Sequence, residues 1–170
     1  GRSTILSGGS GTAADPFIIE TADDLKNFAQ YVNNITISSG VSVKLSDDIP
    51  ESGLDWNLQT VFQPFQPIGD GGDLVFTGTF DGNGKTIKNL SITGDNGAYV
   101  GIFRSLTTNG KIENLTLDNL TISGGSTSSN DIGGLVGHMF GGTISGCTIK
   151  NSSISCLTTT SNPSVGGFVG

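Results

Sequence analysis

"KIENLTLDNLTI", residues 111–122, and "TISGCTIKNSSI", residues 143–154, are two copies of one sequence pattern. Their apolar positions advance by three, two, three and two residues. A strand advances by two and a helix by three or four, so this mixed rhythm predicts short strands joined by corners, with the apolar side chains directed to one axis. Such a chain forms a solenoid coil. The aligned positions are Ile112, Leu115, Leu117, Leu120 and Ile122 in the first copy and Ile144, Cys147, Ile149, Ser152 and Ile154 in the second.

The two copies belong to a repeat with a constant period. The segments "VGIFRSL", "GGLVGHM" and "GGFVG" align Gly101, Gly134 and Gly167 at intervals of 33 residues, and "TIKNLSI" from Thr86 is a partial earlier copy. A fixed period of this length is typical of stacked repeat proteins. We therefore expect repeat units over residues 76–170, with the last unit incomplete and the natural chain continuing beyond it.

Two polar segments, "SGGSTSSND" and "SCLTTTSNPS", fall at the same point of successive units. Equivalent insertions in a stacked repeat emerge on one edge of the structure. Loops on one face are where repeat proteins usually carry binding. We expect these segments to form such an edge.

Asparagines occur where the pattern predicts corners. We place Asn89 and Asn114 at equivalent corners, and Asn119 and Asn151 likewise. Asparagine tolerates left-handed backbone, and stacked asparagine side chains hydrogen-bond along a repeat, so ladders are expected. These four residues and Asn34 also head N-x-S/T glycosylation sequons, but we assign the corner asparagines a structural role.

The N-terminal part contains the one helix that the sequence predicts. Residues 1–14 are a Gly/Ser/Thr-rich, flexible lead-in. The helix covers about residues 21–34, where Thr21 and Asp24 are spaced as a capping box and acids occupy the first turn. One face is apolar, formed by Leu25, Phe28, Ala29 and Val32. Residues 15–170 are then a single domain, with a cap region over 15–75 and the repeats over 76–170.

Composition excludes several classes of function. The 170 residues carry a formal charge of −7 with eight scattered Lys and Arg, so we expect no nucleic-acid partner. No uninterrupted apolar stretch reaches the roughly 18 residues of a membrane span, so no transmembrane segment is expected. Cys147 and Cys156 fit no zinc spacing and are interpreted as core or near-core residues. Gly1 has the appearance of a processing scar, which indicates that a natural leader has been trimmed.

The repeat resembles the GLUG motif, named for its glycine, leucine, apolar, glycine pattern. Gly134, Leu135, Val136 and Gly137 match it within "GGLVGHMFGGTISGCTIKNSSI". The unit at Gly167 matches more loosely, and the unit at Gly101 departs, with Arg104 where the last glycine belongs. Upstream, "DPFIIETADDLKNFAQYVNN", "KLSDDI" and "FTGTFDGNGKTIKNLSI" resemble the segment that precedes such repeats. The resemblance spans about residues 15–170.

GLUG regions occur in bacterial cell-surface and adhesin-like proteins and in non-catalytic parts of immunoglobulin A1 proteases. The resemblance implies an all-β, right-handed parallel β-helix. In that fold the first coil has an exposed strand edge and an exposed apolar interior, so the amphipathic helix is expected to cap it.

The sequence provides little catalytic chemistry. "DGNG", Asp81–Gly84, has some residues of a calcium loop but lacks the remaining acids, and it lacks the spacing of a phosphate loop. We interpret it as a tight turn, with a weak cation site as the alternative. His138 is the one histidine, so neither a zinc peptidase nor a histidine-based triad is predicted, and we expect it to be solvated or to line a turn. We predict no catalytic residue, no cofactor and no metal site.

Acids and aromatic residues supply the remaining alternatives. Enzymes on β-helices need acids gathered on one face. The acids of the repeats are interpreted as non-equivalent, so that stacking does not cluster them; they are Asp81, Asp95, Glu113, Asp118 and Asp131. A carboxylate pair among Asp47, Asp48, Asp70 and Asp73 stays open. Trp56, Phe62 and Phe65 form either a sugar-stacking platform or a packed cap over the first coil.

Three hypotheses of function follow. The first is a non-enzymatic bacterial surface module, secreted or attached to the cell surface through parts absent from this chain. It would be a monomer that binds an extracellular glycan or a host or cell-surface protein. The second is a structural spacer that presents a distal domain. The third is a polysaccharide-degrading enzyme on the same fold.

Overall fold

The computed structural model describes residues 8–34, 41–69, 75–93, 99–124, 131–156 and 164–170, with only the backbone for Gly124 and Cys156. These residues form one α-helix and 17 short strands. The N-terminal elements are β1 (Phe17–Ile19), α1 (Ala22–Asn33), β2 (Ser42–Leu45) and β3 (Leu54–Asp55), followed by a 3-10 turn at Trp56–Leu58.

The remaining strands fall into three repeat units. The first contains β4 (Thr79–Asp81), β5 (Thr86–Lys88), β6 (Ser91–Thr93), β7 (Tyr99–Val100) and β8 (Phe103–Leu106). The second contains β9 (Lys111–Glu113), β10 (Thr116–Asp118), β11 (Thr121–Gly124), β12 (Asp131–Gly133) and β13 (Val136–Met139). The third contains β14 (Thr143–Ser145), β15 (Thr148–Lys150), β16 (Ser153–Cys156) and β17 (Ser164–Gly166).

Strands pair between units in parallel. The five sheets have the orders β1-β2-β4-β9-β14, β3-β5-β10-β15, β6-β11-β16, β7-β12-β17 and β8-β13. Each repeat strand therefore hydrogen-bonds to the equivalent strand of the next unit, as in a solenoid. The prediction of an all-β repeat with parallel strands and one helix is confirmed. Stacking also begins before residue 76, because β2 pairs with β4 and β3 pairs with β5.

Apolar side chains form continuous columns through the units. Ile112 is in register with Phe80 and Ile144, Leu117 with Ile87 and Ile149, and Ile122 with Ile92 and Ile154. These pairs confirm the aligned apolar positions at those three steps. In the second unit the inward residues are almost completely buried, at 0–2 % exposure; they are Ile112, Leu115, Leu117, Leu120 and Ile122.

Five asparagines have left-handed backbone, as the corner prediction requires; they are Asn83, Asn89, Asn114, Asn119 and Asn151. Two of them, Asn119 and Asn89, join a side-chain ladder. The Nδ2 of Asn119 donates to Oδ1 of Asn89 at 2.8 Å, and Asn89 donates to Asp55 at 2.9 Å. In the next unit Asn151 donates to Asp118 at 3.0 Å.

The predicted equivalence of Asn89 and Asn114 is wrong. The backbone N–H of Asn89 donates to Asp118 and that of Asn119 donates to Lys150, so these two asparagines occupy one corner in successive units. Asn114 instead donates to Ser145 at a different corner. The turn between β4 and β5 is longer than its equivalent in the second unit: seven residues separate the starts of β4 and β5, but five separate the starts of β9 and β10.

Helix α1 covers the first unit from the N-terminal side. Thr21 accepts the N–H of Asp24 at 3.1 Å, and Asp24 accepts the N–H of Thr21 at 3.2 Å, which confirms the capping box. The predicted apolar face is buried, and Phe28 packs with ring centroids 5.8 Å from both Phe76 and Phe80. The helix thus packs against the apolar interior of the first unit.

The ladder generates a stability prediction at Asn119. Asn119→Gly removes the hydrogen bond to Asn89 but keeps a residue suited to left-handed backbone, and we expect it to lower the free energy of unfolding by about 1 kcal/mol. Asn119→Ala also forces alanine into that conformation, which adds roughly 1–2 kcal/mol. Urea titrations of the two variants and the unsubstituted chain measure the difference. Equal losses would contradict the left-handed corner.

Candidate functional site

A tight glycine corner joins β12 to β13 and brings the ends of the two strands together. A Cβ on Gly133 would collide with the backbone oxygen of Val136, and one on Gly134 with that of Gly167 in the next unit. Side chains at these two positions are therefore excluded. The residues that flank the corner, Asp131 and His138, meet as a consequence.

Asp131 and His138 form a short hydrogen bond. The Nδ1 of His138 lies 2.5 Å from Oδ2 of Asp131, and the carboxylate accepts the ring N–H. The His138 side chain is 35 % exposed and the Asp131 side chain 18 %, so solvent reaches both. The bond fixes the orientation of the imidazole ring.

Aromatic rings surround this histidine. Tyr99 stacks on His138 with centroids 4.9 Å apart and planes at 24°. The ring centroid of Phe140 lies 4.3 Å from that of His138 and 5.9 Å from that of Tyr99. Tyr99 is also in register with Asp131 on the neighbouring strand. Tyr99, Asp131, His138 and Phe140 are called the aromatic cluster below.

The aromatic cluster is partly open to solvent and is held by the backbone. Phe140 is 57 % exposed, and its N–H donates to Leu106 at 2.8 Å. Arg104 donates from Nη1 to the backbone oxygen of Tyr99 at 3.0 Å. Three ring side chains are thus fixed side by side at the surface of two stacked units.

Sequence reasoning did not find this cluster. It placed His138 in solvent or along a turn, which the 35 % exposure allows, but it did not predict the stacking and the hydrogen bond. The available signal was the glycine corner itself, because a sharp reversal between Asp131 and His138 brings its flanks together. The contribution of Tyr99 depended on the register of β7 against β12, which no single unit reveals.

The Asp131–His138 pair resembles two members of a catalytic triad, and Ser105 is in register with His138. However, Ser105 is 1 % exposed, and its Oγ has no hydrogen-bond partner. A hydroxyl that neither contacts the imidazole nor reaches solvent is not positioned as a nucleophile. The geometry therefore favours a role in which Asp131 orients the His138 ring, without activation of Ser105.

The "DGNG" segment forms the tight turn that the sequence predicts. Asp81 accepts the N–H of Asn83 at 2.8 Å, and both Asn83 and Gly84 have positive φ. The Nδ2 of Asn83 donates to Leu45 O at 3.1 Å and to Oδ1 of Asp47 at 2.6 Å. This turn accounts for the two additional residues between β4 and β5 relative to β9 and β10. Within the parts of the chain that the structure describes, no three His, Cys, Asp or Glu residues are grouped as metal ligands.

One interpretation of the acids is wrong. Asp81 and Glu113 are register partners on β4 and β9, so stacking does bring two acids of the repeat together. They line a groove of about 270 Å³ with Lys44 and Lys111. The partial repeat alignment missed this pair because it began at Thr86, after the longer turn.

The other acids do not form a comparable group among the described residues. Asp118 is in register with Lys88 and Lys150, which alternates the charge along that sheet. Asp47 forms an ion pair with Lys44 at 3.7 Å. The backbone N–H of Asp48 donates to Oγ of Ser46 at 3.1 Å. The candidates Asp70 and Asp73, and the repeat acid Asp95, lie outside the described residues.

The three aromatic residues of the N-terminal loop do not form an open platform. Trp56 and Phe65 are 1 % and 3 % exposed and contact each other edge to face at 5.3 Å. Phe62 alone of the three is exposed, at 57 %. The packed-cap alternative is correct for Trp56 and Phe65.

An apolar cavity of about 560 Å³ lies at the third unit. It is lined by Met139, Ile144, Cys147, Phe168, Val169 and the intervening backbone. Cys147 is half-buried, which agrees with a near-core residue, and burial raises the pKa of its thiol. The side chain of Cys156 is outside the described residues.

Comparisons with known proteins place similar sequences in two much longer proteins. Halomucin of Haloquadratum walsbyi is 35 % identical over 167 residues, which is 98 % of this chain and 2 % of that protein. A "Putative Gly-rich membrane protein" of Evansella cellulosilytica is 32 % identical over 145 residues, covering 82 % of this chain and 15 % of that protein. This chain therefore spans a small part of each relative.

No family model matches the chain, and no solved structure matches it. Among the described residues, no helix has the length and hydropathy of a membrane span. The names of the two relatives indicate surface-type proteins, and this chain is similar in sequence to one part of each.

The turn at Asp81–Gly84 generates a prediction about Asp47. The hydrogen bond from Asn83, with the charge of Lys44, lowers the pKa of the Asp47 carboxyl below its ordinary value. The bond stabilises the fold at pH values above the unfolded pKa of about 3.9, and this contribution is lost as the pH falls through the lower folded value. NMR titration of the carboxyl carbon measures the pKa directly. Asn83→Gly keeps the left-handed turn and should raise the pKa; an unchanged value would contradict the contact.

Proposed function

We propose that the chain is an extracellular recognition module of a surface protein, non-enzymatic and built as a right-handed parallel β-helix of GLUG-type repeats. The stacked parallel sheets and the glycine corner at Gly133 and Gly134 support this fold. The GLUG resemblance supplies the association with adhesin-like proteins. The ligand would be an extracellular glycan or a cell-surface protein, bound by a monomer.

The aromatic cluster is the observation that carries the proposal. Phe140 is 57 % exposed and lies beside Tyr99 and His138, so exposed aromatic surface is grouped here, and grouped apolar surface marks interaction sites. Exposed aromatic residues fixed on rigid strands are favourable for binding, since little side-chain entropy is lost when a ligand arrives. The hydrogen bond between Asp131 and His138 fixes the site further.

A surface location agrees with the comparisons and with composition. The two relatives are named as a mucin and as a membrane protein, and a formal charge of −7 keeps nucleic acid away. A pure spacer would also fit such relatives. It would not require the aromatic cluster, and for this reason we place recognition first.

Direct binding tests the recognition function. The purified chain is passed over immobilised matrix proteins, mucins and polysaccharides at low and high salt, with and without calcium. We expect saturable binding to at least one class of surface, persisting at high salt because the proposed contacts are mainly apolar and hydrogen-bonded. Binding that appears only with calcium would implicate the Asp81–Gly84 turn instead. The absence of saturable binding to every surface would favour the spacer.

The groove beside β4 and β9 favours a second candidate function, cleavage of a polysaccharide. Asp81 and Glu113 are register partners on neighbouring strands, which lie about 4.8 Å apart, and retaining glycosidases use two carboxyl groups ~5–5.5 Å apart. Lys44 and Lys111 line the same groove and could hold a charged substrate. Asp81, however, already accepts a backbone hydrogen bond from Asn83.

Reducing-sugar release measures this second candidate. If the groove is catalytic, Glu113→Gln should lower the rate of reducing-sugar release by a factor of about 100 or more, because one carboxyl of the pair is removed. Asp118→Asn, on a different sheet, serves as the matched control and should retain full activity. Inactivity of the unsubstituted chain on diverse polysaccharides would exclude the enzyme and leave the recognition proposal intact.

A further inference from the structure

We infer that the aromatic cluster is a carbohydrate site that binds a neutral sugar, with a pyranose ring lying against Phe140 and Tyr99. This inference rests on the proposed recognition function and specifies its ligand class.

The rings match the apolar faces of a sugar. A pyranose presents C–H groups on its faces and hydroxyl groups around its rim, and its C–H faces pack on the electron-rich faces of aromatic rings. Phe140 is the most exposed ring of the cluster, and Tyr99 meets it edge to face at 75°. Two rings at this angle form the floor and one wall of a shallow seat.

The polar groups match the rim of a sugar. Oδ2 of Asp131 is hydrogen-bonded to His138 Nδ1, and Oδ1, which has no hydrogen-bond partner among the described residues, can accept hydroxyl hydrogens. Among the described residues, Nε2 of His138 has no hydrogen-bond partner. In the neutral ring with its proton at Nδ1 that nitrogen accepts, and in the imidazolium it donates; a sugar hydroxyl can serve either role. Acceptors beside aromatic rings suit a ligand rich in hydroxyl donors, and a hydroxyl bonded to a carboxylate makes a strong hydrogen bond.

Charge favours a neutral ligand. The formal charge of the chain is −7, and Asp131 contributes a carboxylate within the site itself. The nearby Arg104 guanidinium is already hydrogen-bonded to the backbone oxygen of Tyr99 at 3.0 Å. An anionic polysaccharide would meet repulsion from the carboxylate and from the net charge. Neutral hexose polymers meet neither.

The architecture favours a polymer over a single sugar. The cluster lies on β7, β12, β13 and the residue after β13, so it straddles two stacked units, and the described residues do not enclose a ligand there. A shallow seat of this kind leaves both ends of a chain free to extend. A protein partner would instead be expected to need a wider apolar surface, since stable protein interfaces bury about 800 Å² per partner.

The test uses the whole chain with Phe140→Ala and a matched control, Phe62→Ala. Phe62 and Phe140 are both 57 % exposed, so the two substitutions remove the same side chain from equally open positions. Affinity electrophoresis through gels containing a neutral glucan, mannan or galactan gives a dissociation constant for each variant. A gel with an anionic polysaccharide and an array of immobilised matrix proteins complete the comparison. Far-ultraviolet circular dichroism confirms that each variant is folded.

We expect retardation by at least one neutral polysaccharide, a loss of affinity of tenfold or more in Phe140→Ala, and no change in Phe62→Ala. Asp131→Asn should also weaken binding, by a smaller factor, because an amide oxygen accepts a weaker hydrogen bond than a carboxylate. Neutral-polysaccharide binding that survives Phe140→Ala would overturn the site. Binding to immobilised proteins alone, or to the anionic polysaccharide alone, would overturn the ligand class but keep the recognition function. No binding to any surface would overturn both.

Discussion

Parallel pairing between equivalent strands of successive repeat units is the constraint on which the rest of this structure depends. Each strand in a middle position, such as β10, satisfies its backbone groups through the strands one unit before and one unit after it. Because the register is fixed, corners such as those at Asn89 and Asn119 repeat the same backbone path in successive units. Left-handed asparagines provide that path where a side chain is present, and the ladder from Asn119 through Asn89 to Asp55 hydrogen-bonds it along the stack.

The same constraint produces the two surface sites. Register places Tyr99 beside Asp131, and the glycine corner then adds His138 to the pair. Register also places Asp81 beside Glu113 in the charged groove. Neither site occurs within one repeat unit. A surface built in this way is rigid, because its residues lie on or next to strands that also carry the buried apolar columns. Such rigidity lowers the entropic cost of binding.

The local rhythm of the sequence was sufficient to predict the interior. The steps of three and two residues identified the columns through Ile112, Leu117 and Ile122, because an inward position must be apolar in every unit. The helix was predictable for a similar reason, since the capping box and the apolar stripe are local patterns. Features that depended on register between units were not predictable. The two additional residues in the turn between β4 and β5 misaligned Asn89, and they concealed the equivalence of Asp81 and Glu113.

Contacts between distant segments distinguish a stacked solenoid from a protein of local hairpins. The most direct measurement is a set of nuclear Overhauser effects between methyl groups of Ile87, Leu117 and Ile149 in a chain with labelled isoleucine and leucine methyls. Stacked units predict strong effects from Leu117 to both isoleucines, with none between Ile87 and Ile149, which lie on strands separated by β10. Effects confined to residues within about 12 positions of one another would contradict the parallel register and, with it, both surface sites.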